Sequence, residues 1–237
     1  MEKVTVVIPN YNGIRFLEEC LNALYRQEED TPSFLVLVVD NGSSDGSLEL
    51  LREKFPQTEV IPLSENTGFC HGVNVGIQHS RTPYVILLNN DTKVYPGFVK
   101  ALYRAIEGKK DAFSVSARML MWDKPEILDD AGDGYCVFGW AYSRGKGRPA
   151  AEYEKPCRVF SACGGAAIYR KEIFEKQKEE VLQEMEKLQK VLSMLNYKCW
   201  YYDQAIEKND EAYVQALSFN QFPPQIQQYY KHSHEDC

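Results

Sequence analysis

The sequence predicts an α/β fold in which helices cover both faces of a mostly parallel sheet, followed by one long helix. Three observations lead to this prediction. Short apolar runs alternate with amphipathic segments through residue 107, which is typical of strands and the helices that cross between them. Several apolar runs end in polar, oxygen-rich tips. From residue 181 to residue 206 the apolar residues follow a heptad pattern, which indicates a helix that pairs with another helix.

The predicted strands are short runs rich in β-branched residues, as expected for strands buried on both faces. They cover Val4–Ile8, Phe34–Val39, Val60–Leu63, Tyr84–Leu88 and Ala112–Ala117. The helices between them show apolar residues at helical spacing or follow a glycine or proline start. They cover Ile14–Gln27, Ser47–Phe55, Gly68–Ser80 and Pro96–Glu107.

The alternation stops after residue 117. Glu126–Pro149 is rich in Gly, Asp and aromatic residues, and we predict an ordered loop over the site. Farther on, Gly164 and Gly165 follow Cys163. Glycines permit a positive φ or a close approach of the backbone to a ligand.

Composition excludes some classes of function. The net charge of −7 argues against nucleic acid or an anionic membrane as a partner. The longest apolar run, Phe34–Val39, is too short to span a bilayer, so we expect no membrane span and no leader segment. Seven cysteines, an odd number without C-x-x-C spacing, indicate reduced thiols and a cytoplasmic protein.

Two aspartates directly follow buried strands, Asp40 after Phe34–Val39 and Asp91 just beyond Tyr84–Leu88. Parallel strands open their carboxyl ends onto one crevice, where ligands bind. Each aspartate could instead cap the helix that follows it, and the Asp91 stretch would then be only a capping turn. Together they favour a site, and Asp91 at the rim of a rigid sheet suits a hard cation. The helix start at Gly68 adds free N–H groups at a positive dipole end.

Short motifs lie at the strand ends in a recognisable order and spacing. They are Val4–Gly13, Val38–Ser47, Glu65–Phe69, Asn74–Ile77, Leu87–Thr92, Ala131–Tyr135 and Cys163–Ala166. Over about residues 3 to 174 the chain resembles family 2 glycosyltransferases, most closely their rhamnosyltransferase-like branch. The resemblance implies the GT-A fold, a Rossmann-like fold that binds nucleotide-diphosphate sugars.

The resemblance also implies roles for particular residues. Asp40 would accept a hydrogen bond from the base of the nucleotide. The remaining residues along the nucleotide and its sugar would be Pro9, Tyr11, Asn12, Gly68, Asn74, Asn89 and Asn90. On the acceptor side the resemblance implies Gly132, Gly164 and Gly165. Arg118 and Arg144 are cations that either contact phosphate or, as the commoner case for arginine, lie solvated at the surface.

Asn89-Asn90-Asp91 stands where the family has its Asp-any-Asp metal motif. The first carboxylate is an amide here, a departure that this branch often shows. Asp91 would be the principal protein ligand of Mg²⁺ or Mn²⁺, with diphosphate oxygens and water completing the shell. The expected reaction moves a sugar from a nucleotide-diphosphate sugar to a hydroxyl of a saccharide or lipid-linked saccharide, with inversion at the anomeric carbon. Cell-surface polysaccharide synthesis is the expected setting.

The chain departs from the family after Phe174. Relatives continue with a Gly-Phe-Asp-Glu segment and then a Glu-Asp pair that supplies the catalytic base, and neither follows here. Asp203 is a weak substitute, because a base must come within hydrogen-bond reach of the acceptor hydroxyl. The truncated fold therefore leaves two hypotheses open. One is an active glycosyltransferase, and the other is a catalytically silent nucleotide-sugar-binding domain that dimerises.

We predict a single amphipathic helix over Lys171–Lys208. Its heptad seam consists of Val181, Met185, Leu188, Leu192, Leu195, Cys199, Tyr202 and Ile206. The seam must bury against another helix or against a second copy, so a homodimer through residues 175–208 is expected. Residues 175–210 resemble the C-terminal dimerisation helix of MerR-type transcription regulators, but no DNA-reading domain precedes them.

The predicted organisation has three parts. A nucleotide-sugar-binding domain covers residues 1–174, the coiled-coil helix covers 175–210, and a polar, loosely ordered tail covers 211–237. In that tail His232, His234 and Cys237 form only a weak candidate metal site, because a fourth ligand is not in view.

Overall fold

The computed structural model describes residues 2–234. It divides into two compact units, one that ends at Phe174 and one that begins at Glu175. The strands, in chain order, are β1 (Val4–Asn10), β2 (Phe34–Asp40), β3 (Glu59–Pro62), β4 (Tyr84–Leu88), β5 (Ser114–Ser116), β6 (Met119–Met121), β7 (Lys124–Asp130), β8 (Asp133–Tyr135), β9 (Ala141–Ser143) and β10 (Ala166–Arg170). The helices are α1 (Ile14–Leu24), α2 (Ser47–Lys54), α3 (Phe69–His79), α4 (Phe98–Glu107), α5 (Lys171–Lys208), α6 (Glu211–Gln215) and α7 (Pro224–His234).

The main sheet of the first unit has six strands in the order β3-β2-β1-β4-β10-β5. β1 pairs in parallel with β2 and β4, and β2 pairs in parallel with β3, whereas β10 runs antiparallel to both β4 and β5. The predicted α/β fold with a mostly parallel sheet is therefore confirmed. The register sets Asn10 beside Asp40 at the carboxyl ends of β1 and β2.

The core lies on both faces of this sheet because successive side chains of a strand point to opposite faces. Val6 and Ile8 of β1 belong to the larger cluster, together with Leu17 and Leu21 of α1. Val7, between them in sequence, belongs to the second cluster, which contains residues of α3. This two-sided burial explains why the strands read as continuous apolar runs.

Helix α3 approaches the sheet most closely at Gly76. A Cβ atom there would lie 2.3 Å from Cγ1 of Val7 and 3.2 Å from Cγ2 of Val39. Gly72, one turn earlier on the same helix, has room, since a Cβ would meet its nearest neighbour at 3.9 Å. The helix therefore needs glycine at one of these two positions only.

We expect Gly76→Ala to unfold at lower denaturant concentration than Gly72→Ala. Both changes give the same gain in helix propensity, so the difference isolates the overpacking against Val7, about 1–3 kcal/mol of unfolding free energy. Urea unfolding followed by circular dichroism measures it. Equal stability of the two variants would mean that α3 can move away from the sheet at little cost.

Two predictions need correction. The segment Glu126–Pro149, predicted as a loop, contains most of β7 and all of β8 and β9, and the sheets pair β6 with β7 and β8 with β9. Gly139, with a φ of +85°, lies between β8 and β9 and lets the chain reverse tightly there, whereas Trp122 and Asp123 connect β6 to β7. β6, β8 and β9 have three residues each, too few for a period-two pattern to be visible in the sequence.

The second correction concerns the tail, where residues 211–234 are not loosely ordered. They form α6, α7 and a short 3-10 helix at Phe219–Gln221. Phe222 and Tyr230 contact the ring of Tyr197 on α5, with centroids 5.8 and 5.1 Å apart, and Phe222 also contacts Trp200 at 5.1 Å. Aromatic packing supplies the burial that the polar composition hid. Cys237 lies outside the described residues.

The predicted helix over Lys171–Lys208 is confirmed with the same bounds, as α5. Every residue of its heptad seam is exposed. Within the described residues of this chain, no other helix covers the seam. Within residues 2–234, no helix combines the length and the apolar character needed to cross a bilayer.

Candidate functional site

Asp40 is a fully buried carboxylate at the end of β2, held by two hydrogen bonds. Asn10 at the end of β1 donates from Nδ2 to Asp40 Oδ2 at 2.9 Å, and the backbone N–H of Ser43 donates to Asp40 Oδ1 at 2.9 Å. The second bond closes a turn onto the following loop. The alternative role of Asp40, as the cap of the next helix, is not realised, because the N-cap of α2 is Gly46. These two bonds fix the carboxylate in place.

Asn10 links the ends of three parallel strands. Its Nδ2 donates to Asp40 on β2. Its Oδ1 accepts a hydrogen bond, at 2.7 Å, from Nδ2 of Asn90, which lies just beyond β4. A Cβ at Gly13 would lie 2.1 Å from Asn90 Nδ2 and 2.5 Å from Asn10 Oδ1, so a larger residue there would displace the two side chains that form this bond. Sequence reasoning did not assign a role to Asn10, because its contacts lie on other strands. Its position directly after a buried strand was the available signal.

A second asparagine, Asn41, organises the loop before α3. Its Nδ2 donates to Asn66 Oδ1 at 3.0 Å and to the carbonyl of Gly68 at 3.1 Å. Its Oδ1 accepts from both the backbone N–H and the hydroxyl of Thr67, each at 3.0 Å. These bonds fix the start of α3, where free N–H groups and the helix dipole favour an anion. The sequence patterns did not predict a role for Asn41 either.

Pro9, Tyr11 and Asn12 lie on the strand end and loop beside Asp40. Pro9 pairs with Val39, which precedes Asp40. The Asn12 N–H donates to Ser43 Oγ at 2.9 Å, while its own Oδ1 accepts from the N–H of Ser44 at 2.9 Å. Tyr11 keeps its ring exposed at the rim.

Farther along, Gly68 directly precedes α3 with φ +88°, and Asn74 lies exposed in the middle of that helix. The structure thus brings Pro9, Asn12, Asp40 and Asn90 together at one edge of the sheet. Gly68 reaches the same edge through Asn41.

Asp91 lies just beyond β4 with an exposed carboxylate that makes no hydrogen bond or ion pair with the described residues. Its neighbour Asn89 is anchored, because the Asn89 N–H donates to the carbonyl of Gly165 at 2.9 Å. Thr92 Oγ1 donates to the Asn89 carbonyl at 2.7 Å. Beneath this turn, burial raises the pKa of the Cys20 thiol to about 12, which leaves it neutral. A free carboxylate on an anchored turn results.

This arrangement fits a divalent cation only in part. In the described residues, no three His, Cys, Asp or Glu side chains come together as a metal-binding group. The free carboxylate of Asp91 is an oxygen ligand of the kind that Mg²⁺ and Mn²⁺ prefer. A cation bound here must therefore take most of its ligands from a diphosphate and from water, which is a usual arrangement for Mg²⁺.

The three glycines predicted on the acceptor side lie in different surroundings. A Cβ at Gly165 would lie 3.4 Å from Nδ2 of Asn89, so Gly165 borders the Asp91 turn. Gly164 next to it has open space around it, and Gly132 has a positive φ and lies against Val159. Gly164 and Gly165 therefore reach the edge of the site, whereas Gly132 shapes the turn after β7.

The other candidates are less well supported by the geometry. Arg118 donates weakly to the carbonyl of Ala150 at 3.4 Å, and the guanidinium of Arg144 lies 4.7 Å from the ring centroid of Tyr153. Asp203 is exposed on α5, within the second unit. Among the described tail residues, His234 Nδ1 lies 2.8 Å from the carbonyl of Tyr230, and no metal-binding group includes it or His232.

Comparison with known proteins agrees with this picture of the first unit. The family model described as Glycosyl transferase family 2 matches residues 5–177. The teichoic acid poly(glycerol phosphate) polymerase of Staphylococcus epidermidis is 30% identical over 133 residues, which cover 54% of this chain and 18% of that protein. Glycosyltransferase AglE of Haloferax volcanii is 32% identical over 108 residues, covering 44% of this chain and 36% of that protein.

Solved structures show the same fold. Residues 1–349 of TarS from S. aureus in complex with UDP-GlcNAc superpose with a TM-score of 0.55 at 21% identity, covering 74% of this chain and 47% of that chain. The mannosyltransferase PcManGT from Pyrobaculum calidifontis, in complex with GDP-Man and Mn²⁺, gives 0.52 at 18% identity, with coverages of 74% and 46%. The chain spans about half of these structures and less than two fifths of the two relatives above.

Proposed function

Because the chain belongs to glycosyl transferase family 2, we propose that it transfers a sugar from a nucleotide-diphosphate sugar to a hydroxyl group of an acceptor. The observation that carries this proposal is the convergence of Asp40, Asn10 and Asn90 at one sheet edge. The unpaired carboxylate of Asp91 lies next to Asn90 in sequence. A recognition carboxylate and a metal-binding carboxylate at one edge suit the two ends of a nucleoside diphosphate.

In this proposal each residue of the edge has a defined task. Asp40 accepts a hydrogen bond from the nucleotide base, and Tyr11 with Pro9 and Asn12 lies along the nucleotide. Gly68 and Asn74 lie near the nucleotide and its sugar, while Asn89 and Asn90 lie by the sugar and diphosphate. The hydrogen bonds of Asn10 hold Asp40 and Asn90 at a fixed separation before any ligand binds, which lowers the cost of ordering the site.

Asp91 would hold Mg²⁺ or Mn²⁺ against the diphosphate, where the cation offsets the charge that develops on the leaving group. The acceptor hydroxyl attacks the anomeric carbon from the side opposite the diphosphate, so the proposed outcome is inversion. Gly164 and Gly165 leave the backbone open at the edge that the acceptor would approach.

The setting we propose is cell-surface polysaccharide synthesis, with a saccharide or lipid-linked saccharide as acceptor. Support comes from the names of relatives, which include a putative teichuronic acid biosynthesis glycosyltransferase of Bacillus subtilis. The motifs Ala131–Tyr135 and Cys163–Ala166 support a place in the rhamnosyltransferase-like branch. The scattered, unpaired thiols of the six described cysteines support a cytoplasmic location.

We further propose that the second unit makes the protein a homodimer through the seam of α5. The resemblance of residues 175–210 to MerR-type dimerisation helices supports this, as does the exposure of the seam along its whole length. In this proposal residues 1–174 bind the nucleotide sugar and residues 175–210 pair the chains.

A second candidate function is a catalytically silent, dimeric nucleotide-sugar-binding protein. One observation favours it: the segment that supplies the catalytic base in relatives does not follow Phe174, and α5 occupies that part of the sequence. Asp203 is a poor substitute because it lies exposed on the flank of that helix, next to the seam residue Tyr202.

A melting panel with Mn²⁺ and UDP, dTDP and their sugars tests donor binding. We expect at least one nucleotide to raise the melting temperature in the presence of Mn²⁺, since a ligand that binds only the folded state stabilises it. Sugar release or transfer from the same nucleotide sugar then separates the two candidates. Stabilisation with turnover supports the enzyme, stabilisation without turnover supports the silent binder, and no stabilisation by any nucleotide contradicts both.

A further inference from the structure

We propose that Asp130 recognises the transferred sugar by accepting a hydrogen bond from one of its hydroxyl groups. The inference rests on the proposed donor site and adds a residue that selects the sugar within it. Asp130 ends β7 and is only 3% exposed. It belongs to none of the sequence positions that the family resemblance assigned to the nucleotide, the metal or the acceptor.

The carboxylate of Asp130 is half satisfied. Its Oδ1 accepts a hydrogen bond from the N–H of Gly132 at 2.6 Å, which closes a tight turn. Its Oδ2 is buried and has no hydrogen-bond partner among residues 2–234. A buried carboxylate oxygen without a donor is costly, so a donor is expected from water or from a ligand.

Asp130 lies beside the edge of the donor site. In the β6–β7 pairing it stands opposite Met119. A Cβ at Gly165 would lie 3.4 Å from Met119 Cε and equally close to Asn89 Nδ2. Asn89 precedes Asp91 by two residues, so Asp130 and the proposed diphosphate site flank the same small group of side chains.

The pKa of the Cys163 thiol also indicates that Asp130 lies near Gly164 and Gly165. Burial raises its pKa, and the negative charges of Asp130, Asp133 and Asp129 raise it further. Asp133 accepts from Ser161 Oγ at 3.0 Å, and Asp129 pairs with Lys146 at 3.0 Å. Of these three carboxylates, Asp130 alone is both buried and left with a carboxylate oxygen that has no partner in the described chain.

The two buried oxygen atoms that lack a hydrogen-bond partner indicate which chemical group of the ligand lies beside them. Asn89 Oδ1 is a second buried oxygen without a described partner, and both oxygens can only accept. A diphosphate has no proton to offer at neutral pH, whereas sugar hydroxyls donate readily. The sugar is bonded directly to the diphosphate that Asp91 would hold, so its hydroxyls reach this place before those of an acceptor. The ligand group is therefore a hydroxyl of the donor sugar.

Titration calorimetry of Asp130→Asn with Mn²⁺ tests this assignment, using UDP and UDP-GlcNAc or the matching pair that the melting panel selects. Asparagine keeps an oxygen to accept from Gly132 but turns the free acceptor into a donor. We expect the affinity for the nucleoside diphosphate to stay within about twofold, and that for the nucleotide sugar to fall at least about tenfold. The matched control Asp129→Asn, a half-exposed neighbour, should change neither.

Each other outcome has a definite meaning. Unchanged binding of both ligands to Asp130→Asn overturns the proposal and leaves the orphaned oxygen to water. A variant that binds both normally but shows a raised KM for the acceptor overturns the assignment to the donor sugar. If the wild type binds neither UDP nor any nucleotide sugar, the proposed function itself fails.

The ligand can be changed instead of the protein if Asp130→Asn does not fold. The wild type should then bind a deoxy analogue of the nucleotide sugar, lacking one hydroxyl, at least about tenfold more weakly than the parent. Equal binding of every singly deoxygenated analogue overturns the proposal.

Discussion

Asp91→Ala is expected to abolish the part of the nucleotide-induced rise in melting temperature that depends on Mn²⁺ or Mg²⁺. In the described residues no three His, Cys, Asp or Glu side chains come together as a metal-binding group, so the loss of Asp91 would leave the proposed cation to the diphosphate and water. At a ligand concentration of about 100 Kd the stabilisation at stake is about 2.7 kcal/mol. Melting curves with nucleotide alone, metal alone and both together measure it.

The variant should melt like the wild type when no ligand is present. Asp91 is exposed and makes no hydrogen bond or ion pair with the described residues, so its removal costs the fold little. Asp111→Ala is the matched control, because Asp111 is an exposed carboxylate whose ion pair among the described residues is with the exposed Arg158, at 3.1 Å. A metal-dependent shift that survives in Asp91→Ala would remove Asp91 from the metal site.

The sheet was predictable from the sequence because burial on both faces leaves a mark that a short window can detect. Tyr84–Leu88 is apolar throughout and became β4 with the same bounds. The two hairpins, β6 with β7 and β8 with β9, left no such mark. β6, β8 and β9 have three residues each and depend on their cross-strand partners. The packing of the tail on α5 depends on aromatic pairs about 25 to 35 residues apart in sequence, which no local pattern reveals.

The candidate site likewise contains some residues that the sequence predicts and others that it does not. Asp40 and Asp91 stood out because each follows a buried strand, and chain order alone predicts that such positions share one edge. Asn10 and Asn41 could not be singled out, because asparagine after a strand is common in turns. Their importance comes from partners on other strands and loops. Asp130 was hidden for a related reason, since its place beside the site depends on the pairing of β7 with β6.

Helix α5 has two apolar faces, and only one of them is covered within the second unit. The face with Ser193, Tyr197 and Trp200 packs with Phe222 and Tyr230 of the following segment. The heptad seam stays exposed over its full length, with Leu188 at 61%. Apolar stripes of this size on a soluble protein usually mark an interaction surface, and a strict heptad repeat is the pattern that pairs helices.

A second copy of the same helix is the occupant that fits the seam best. Both copies present the same four-and-three spacing, so the side chains of one can enter the gaps of the other. Residues flanking the seam carry both signs of charge, Glu184 and Asp203 as well as Lys198, so two copies do not meet as surfaces of one charge. Burying several seam residues of Leu size at about 1.5–3 kcal/mol each is enough for a micromolar dimer.

Leu188→Asp is expected to convert the proposed dimer to a monomer at micromolar concentration. The change removes the apolar contact at the middle of the seam and sets a carboxylate from each chain in a dry interface, where an unpaired charge costs several kcal/mol. Light scattering coupled to size-exclusion chromatography measures the mass. Gln183→Asp is the matched control, since it adds the same charge on the same helix away from the seam. Circular dichroism should show α5 intact in both variants. A Leu188→Asp protein that stays dimeric would mean that the chains pair through another surface.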